Sequence, residues 1–95
     1  MLFRSPPGLS DVKVVLDASA NDAISPKTLE IKCPDGKRAL AAGGRVGNSQ
    51  ADAGKLMLTY VEPDLDSATV MAEKVAGTTT GNWTLVGWVT CAKVQ

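Results

Sequence analysis

The sequence predicts an all-β fold, a small antiparallel β-sandwich of jelly-roll-like form closed by one disulfide. Short segments that alternate apolar and polar residues follow one another, separated by Gly, Pro, Asn and Asp, which favour turns. Two of these segments contain the only cysteines of the chain, Cys33 and Cys91. Hydrophobic residues make up 44% of the chain but aromatic residues only 4%, which indicates a modest core of Val, Leu, Ile and Ala.

The pattern predicts the elements in order along the chain. Residues 27–33 alternate with period two, so that Leu29 and Ile31 lie on one side of a strand. Pro34-Asp35-Gly36-Lys37 predicts a turn, because Pro presets φ and Gly accepts the left-handed conformation. With the other segments, six or seven short strands are expected, at 12–16, 27–33, 38–46, 55–61, 68–75 and 83–94. Such a series favours an antiparallel sandwich or barrel over a parallel α/β sheet.

Two segments leave local alternatives open. Residues 68–75 also fit a helical stripe, but the β-branched Thr69 and Val70 favour a strand. Gly43-Gly44 interrupts the segment 38–46 and indicates either a β-bulge or a close approach of another chain segment to the backbone.

A chain of 95 residues is expected to form one domain, spanning residues 11–95. Residues 1–10 are expected to be a linker or a non-native segment. Leu2-Phe3-Arg4-Ser5 matches one translation of a common sequencing-adapter end, and Pro6-Pro7-Gly8 is typical of a linker. On this interpretation the natural protein continues upstream, with its export signal there.

Composition argues against several classes of function. Ten basic and ten acidic residues leave no net charge to attract nucleic acid or an anionic membrane. No segment approaches the ~20 apolar residues of a membrane helix, so no membrane insertion is expected. The chain has no His, and no spacing singles out a base for a Ser or Cys nucleophile. We therefore expect no enzyme activity, no catalytic residue and no cofactor.

Two segments contain residues typical of a phosphate site or a calcium site, but each lacks part of the required pattern. Residues 41–47 contain the glycines of a phosphate-binding loop but lack its Gly-Lys-Ser/Thr end and a following helix. Glu62, Asp64 and Asp66 offer oxygen ligands, but their spacing lacks the ligand count of a calcium loop. A bulge or tight strand crossing and a solvated acidic turn are the expected structures, and no metal is predicted.

The cysteines predict a disulfide between Cys33 and Cys91, since two cysteines alone cannot complete a structural zinc site. Such a bond ties an early strand to the last one. Because disulfides persist in oxidising compartments, an extracellular or cell-surface location is expected.

The two tryptophans are expected to lie on opposite faces of the last strand. Trp83 shares its parity with Leu85, Val89 and Cys91, which indicates the core. Trp88 shares its parity with Thr84, Val86 and Thr90, a half-exposed face, unless a bulge at Gly87 exchanges the two assignments. We therefore predict Trp88, Thr84 and Thr90 as a surface for a ligand or partner, with the packing of Trp88 at the second sheet face or at a subunit contact as the alternative.

The segments Cys33-Pro34-Asp35-Gly36-Lys37, Gly43-Gly44, Trp83-Thr84-Leu85 and Cys91-Ala92 resemble a β module of bacterial secreted and fibre- or phage-associated proteins, of the actinobacterial type. The resemblance covers residues 25–93, although the module usually has a Trp near 68–75 that this chain lacks. It implies a disulfide-closed extracellular β domain without established catalysis.

Two functions are therefore expected. The first is a non-catalytic extracellular module that binds a cell-surface protein or a glycan. The alternative is a structural domain that forms a homo-oligomer in a fibre, surface or phage-associated assembly. An oligomer in solution favours assembly, and a monomer with an exposed aromatic patch favours binding.

Overall fold

The computed structural model of the chain describes residues 9–47, 54–78 and 80–94. Within these ranges the fold is all-β, as predicted, and no helix occurs. The six strands are β1 (Leu9–Ala18), β2 (Lys27–Lys32), β3 (Arg38–Gly47), β4 (Leu56–Pro63), β5 (Ser67–Lys74) and β6 (Thr84–Val94). The first strand is longer than the predicted 12–16, and Trp83 forms an isolated bridge with Asp22 just before β6.

The strands form two antiparallel three-stranded sheets that pack face to face. Sheet I has the order β1-β6-β3 and sheet II the order β2-β5-β4. The pairing is nested along the chain, because the first strand pairs with the last and the second with the fifth. This nesting is the wrapping of a jelly roll, here with six strands, and it confirms the predicted sandwich.

The core lies between the sheets and is built by alternation on three strands. Leu29 and Ile31 of β2 face inward between exposed polar residues. In β5 the buried residues are Ala68, Val70 and Ala72, so the helical alternative for 68–75 is wrong. From sheet I the core receives Trp83, Leu85, Val89 and Cys91, all fully buried.

Gly43 and Gly44 of β3 are each contacted by a large side chain, on opposite faces of sheet I. A Cβ on Gly44 would lie 2.5 Å from Cγ1 of Val70 in sheet II, and a Cβ on Gly43 would overlap the ring of Trp88. β3 stays paired with β6 through both positions, and its bulge lies between Ala39 and Ala41. The predicted close approach is confirmed, whereas the bulge predicted at the glycines is wrong.

The connections agree with the turn chemistry where the structure describes them. In the turn 34–37, the Lys37 N–H donates to the Pro34 carbonyl at 3.1 Å and Gly36 has a φ of 79°. Residues 1–8 of the predicted linker or non-native segment 1–10, most of the predicted loop 47–54 and Thr79 of the loop 77–82 lie outside the described residues, whereas Leu9 and Ser10 begin β1.

The predicted disulfide is present between Cys33 and Cys91. Cys33 follows the last residue of β2, and Cys91 lies in the buried face of β6, so the bond joins the two sheets. The Cα atoms are 5.8 Å apart and the sequence separation is 58 residues. Closing a loop of this size stabilises the fold by about 4 kcal/mol on the chain-entropy account.

Substitution of Gly44 by Ala should destabilise the fold, because the added methyl group would displace the fully buried Val70. We expect the free energy of unfolding in urea to fall by about 1–3 kcal/mol, as for other overpacked cores. Gly47→Ala in the same strand is the matched control, since its Cβ would meet only the Thr84 carbonyl at 3.8 Å. Equal stability of the two variants would contradict the close packing described above.

Replacement of both cysteines by alanine should lower the free energy of unfolding by about 4 kcal/mol, through the loss of the loop closure. Denaturant unfolding of the double variant and of the oxidised protein measures this difference. Intact mass of the oxidised protein should rise by two hydrogens on reduction. Two alkylatable thiols in the native, oxidised protein would contradict the bond.

Candidate functional site

The outer face of β6 carries the three residues predicted as a ligand surface. Thr84, Trp88 and Thr90 are half-buried and alternate with fully buried neighbours along the strand. Gly87 pairs in register with Gly44, so no bulge exchanges the two faces. The parity argument therefore holds: Trp83 is in the core, and Trp88 points away from it.

Register places these residues in three rows that cross sheet I. Each row contains one residue from β1, one from β6 and one from β3, on the side of sheet I that faces away from sheet II. The rows, which together we name the outer face, are Val14, Thr90 and Ala41; Leu16, Trp88 and Gly43; and Ala18, Val86 and Arg45. Thr84 lies beyond the last row, paired with Gly47.

Trp88 crosses from β6 to β3 and covers Gly43. A Cβ on Gly43 would lie 2.4 Å from Cε2 and Cζ2 of the indole and 2.5 Å from its Nε1. Any side chain at position 43 would therefore displace the ring. The glycine lets this large side chain lie close to the sheet while part of it remains exposed.

The β1 side of the outer face is apolar and open to solvent. Leu16 is 69% exposed and Val14 is 53% exposed, and Val12 continues the same strand at 61%. Arg45 is the single charged residue of the three rows. Exposed aliphatic side chains in a row, next to a half-buried Trp, form the kind of surface that marks an interaction site.

Sequence reasoning did not predict the contribution of β1. The alternation of Val12, Val14 and Leu16 was visible, but nothing local indicates that this strand pairs with β6 and lies beside Trp88. The signal was an apolar alternation interleaved with Lys13 and Asp17, which is typical of a strand with polar and apolar sides.

A second cluster of functional groups lies at one end of the sandwich. Lys27 is only 7% exposed, and its Nζ donates to the Asp22 carboxylate and, at 3.1 Å, to the Ala20 carbonyl. The same ammonium group lies 4.9 Å from the centroid of the Trp83 ring. The backbone N–H of Trp83 donates to the Asp22 carbonyl at 2.8 Å. These contacts satisfy a buried cation and attach the loop before β2 to the start of β6.

The hydrogen bond from Lys27 holds the pKa of the Asp22 carboxyl below its usual range, assisted by the Ile24 N–H. Because the folded-state pKa is the lower one, this interaction stabilises the fold above the unfolded pKa of about 3.9. The stabilisation is lost as the pH falls through the folded value.

The predicted acidic turn is divided among separate contacts. The Glu62 carboxylate accepts a hydrogen bond from Tyr60 within β4, and this bond raises the pKa of the Tyr60 hydroxyl. Asp64 accepts from the Leu65 N–H at 2.8 Å, and the Asp66 carbonyl accepts from the Cys33 N–H. In the part of the chain that the structure describes, no three His, Cys, Asp or Glu side chains form a group that could hold a metal.

Residues 41–47, weighed above as a phosphate loop, lie within β3 and pair with β6 throughout. Along a strand the N–H groups point alternately to its two sides, so β3 does not offer the converging N–H groups of a phosphate cradle. The described ranges also contain no pocket and no helix that could cross a membrane.

Comparison of the chain with protein-family models, with curated proteins and with solved structures finds no match. The resemblance to the bacterial exported module therefore stays a prediction. The outer face and the disulfide are the two features of the molecule that bear on its function.

Asp22→Asn should make the fold less stable than wild type at pH 7, because Lys27 would keep its burial but lose its ionised partner. The difference should begin to shrink as the pH falls below the unfolded pKa of about 3.9, and it should be lost once the pH passes the lower folded pKa, where wild-type Asp22 is protonated in the native protein. Urea unfolding of both proteins between pH 7 and pH 2 measures this. Asp35→Asn, which removes the same charge from an exposed turn, is the control. A difference between wild type and Asp22→Asn that does not change with pH would contradict the pairing.

Proposed function

We propose that this chain is a non-catalytic, exported binding domain that uses the outer face of sheet I to bind a protein partner. The observation that carries the proposal is the row of Leu16 and Trp88, with Val14 beside it, exposed on a sheet that is otherwise well paired. Monomeric proteins keep such contiguous apolar surface small unless it has a partner.

The chemistry of the face favours a protein over a glycan. Val14 and Leu16 offer large apolar areas and no hydrogen-bonding side-chain group, so sugar hydroxyls would lose water there without replacement. Protein interfaces combine an apolar centre containing aromatic residues with a polar rim. The expected partner surface has exposed apolar side chains at its centre and a carboxylate placed to meet Arg45 at the edge.

Export is supported by the disulfide. Cys33–Cys91 joins the two sheets, and such bonds are kept in oxidising compartments rather than in a reducing cytosol. We therefore propose that the domain acts outside the cell or on its surface, as the resemblance to bacterial secreted modules also implies.

A glycan is the second candidate ligand, and one observation favours it. Trp88 is partly exposed between the hydroxyl-bearing Thr84 and Thr90, and an indole beside hydroxyl groups suits the stacking and hydrogen bonding of a sugar ring. In that case Trp88 would matter more than Leu16. The alternative role as an oligomerisation domain is supported by β1, which forms an edge of sheet I.

Binding through the outer face should be lost when its exposed side chains are removed. The probes are a displayed library of random peptides, selected on the wild-type domain, and a glycan array. Selected peptides should be rich in apolar and acidic residues, and they should bind Leu16→Ser and Trp88→Ala at least about tenfold more weakly. Tyr60→Ser removes an exposed aromatic residue from sheet II and serves as the matched control, with no change expected.

Peptides that bind Leu16→Ser as well as wild type would contradict the proposed face. Glycan binding that falls with Trp88→Ala but not with Leu16→Ser would replace the protein partner with a sugar. Circular dichroism and urea unfolding show which variants are folded, and Leu16→Ser remains informative if Trp88→Ala is not.

A further inference from the structure

β1 is an edge strand with an unpaired side. Sheet I ends at β1, and no strand within the described residues pairs with its outer edge. An edge of this kind presents unpaired N–H and C=O groups to which another strand can add. The bulge between Ser10 and Lys13 and the exposed charges of Lys13 and Asp17 restrict such pairing, so an added strand must match these charges.

The hydrogen-bond pattern identifies the backbone groups that face outward. The Ser19 N–H donates to the Leu85 carbonyl at 2.8 Å, so the backbone groups of Ser19 point toward β6. Register is continuous from Lys13 to Ala18, and in an antiparallel ladder the direction alternates from residue to residue. The backbone groups therefore also point toward β6 at Lys13, Val15 and Asp17. The backbone groups of Val14, Leu16 and Ala18 point to the free edge.

We propose that a second copy of this chain adds to the free edge, through antiparallel pairing of β1 with the partner's β1 about a two-fold axis at Val15. In this register Val14 faces the partner's Leu16 as a hydrogen-bonded pair, and Lys13 faces the partner's Asp17. Both relations occur twice because of the symmetry. Two three-stranded sheets then form one six-stranded sheet.

Charge selects this register over its neighbours. The backbone direction allows only symmetric registers that pair outward-facing residues with each other. An axis at Val14 would place Lys13 opposite the partner's Val15 and forms no ion pair, because Asp11, the other charged residue of the strand, lies in the bulge. An axis at Leu16 would place Lys13 opposite the partner's Ser19 and forms no ion pair. The axis at Val15 alone forms two ion pairs of opposite charge.

Lys13 and Asp17 are available for this contact. Both are exposed, and neither forms an ion pair within the described ranges. Asp17 uses Oδ1 to accept the Ala18 N–H at 2.8 Å, and a carboxylate has further lone pairs to offer. Because both residues would lie in non-hydrogen-bonded pairs, their side chains would lie close to those of the partner strand.

The interface is small and therefore reversible. Val14 and Leu16 form two hydrogen-bonded pairs across the axis, whereas a standard interface involves about 20–30 residues on each side. The pairing leaves both outer faces open and places Leu16 beside the partner's Val14. It does not depend on the proposed binding function, because it uses the edge of sheet I and not its face.

The test is sedimentation equilibrium of the intact, oxidised protein from about 1 µM to 1 mM at low ionic strength, where surface charges are least screened. Wild type should show a concentration-dependent dimer. Lys13→Asp places like charges opposite each other twice and should raise the dissociation constant about tenfold. The double variant Lys13→Asp with Asp17→Lys restores opposite charges and should return it to near the wild-type value.

Further variants distinguish pairing at the β1 edge from association through another surface. Lys32→Asp makes the same charge change on β2 and should not alter the dimer. Leu16→Pro removes an N–H that points to the free edge, so it should abolish the dimer while leaving the pairing with β6 intact. Trp88→Ala should leave the dimer unchanged even if it abolishes binding to the outer face.

A monomer at every concentration would overturn the proposal. So would a dimer that Lys13→Asp does not weaken, or one that the double variant does not restore. If Leu16→Pro fails to fold, Lys13→Asp and the double variant still test the pairing, because they change only exposed side chains.

Discussion

The close approach of the two sheets at a pair of glycines is the constraint on which the rest of the structure depends. Gly44 and Gly87 are partners across β3 and β6, and Val70, Ile31 and Leu29 of sheet II lie against them. With few aromatic residues, the chain fills its core by bringing the sheets together instead of filling a wider space. This close fit sets which residues of β6 face inward.

The alternation of side chains along β6 then determines which of its residues form the disulfide and which lie on the outer face. Cys91 shares the inward parity of Gly87 and thus reaches Cys33 at the end of β2. Trp88 takes the opposite parity, and Gly43 gives its ring space on the other side of the same sheet. The Gly-Gly dipeptide thus serves two faces at once, the core through Gly44 and the surface through Gly43.

The surface chemistry of the domain is uneven. At one end, Lys27 donates to the Asp22 carboxylate and its ammonium group lies over the ring of Trp83. The outer face of sheet I is largely apolar, and β1 adds Val14 and Leu16 to that face and forms one edge of the sheet. Face and edge are separate surfaces of one sheet, so a domain could pair with its own copy and still bind a partner.

Local residue patterns were enough to predict the all-β class, a series of six or seven strands, the turn at 34–37, the disulfide and the opposite faces of Trp83 and Trp88. Each depends on period-two alternation or on turn residues, which act over a few neighbouring positions. Only the tertiary structure decided that β1 lies beside β6, that Leu16 is next to Trp88, that the bulge is at Leu40 and that Lys27 is buried against Trp83. These features join residues far apart in the chain, and strand order between them follows from packing of the two sheets, which no local pattern records.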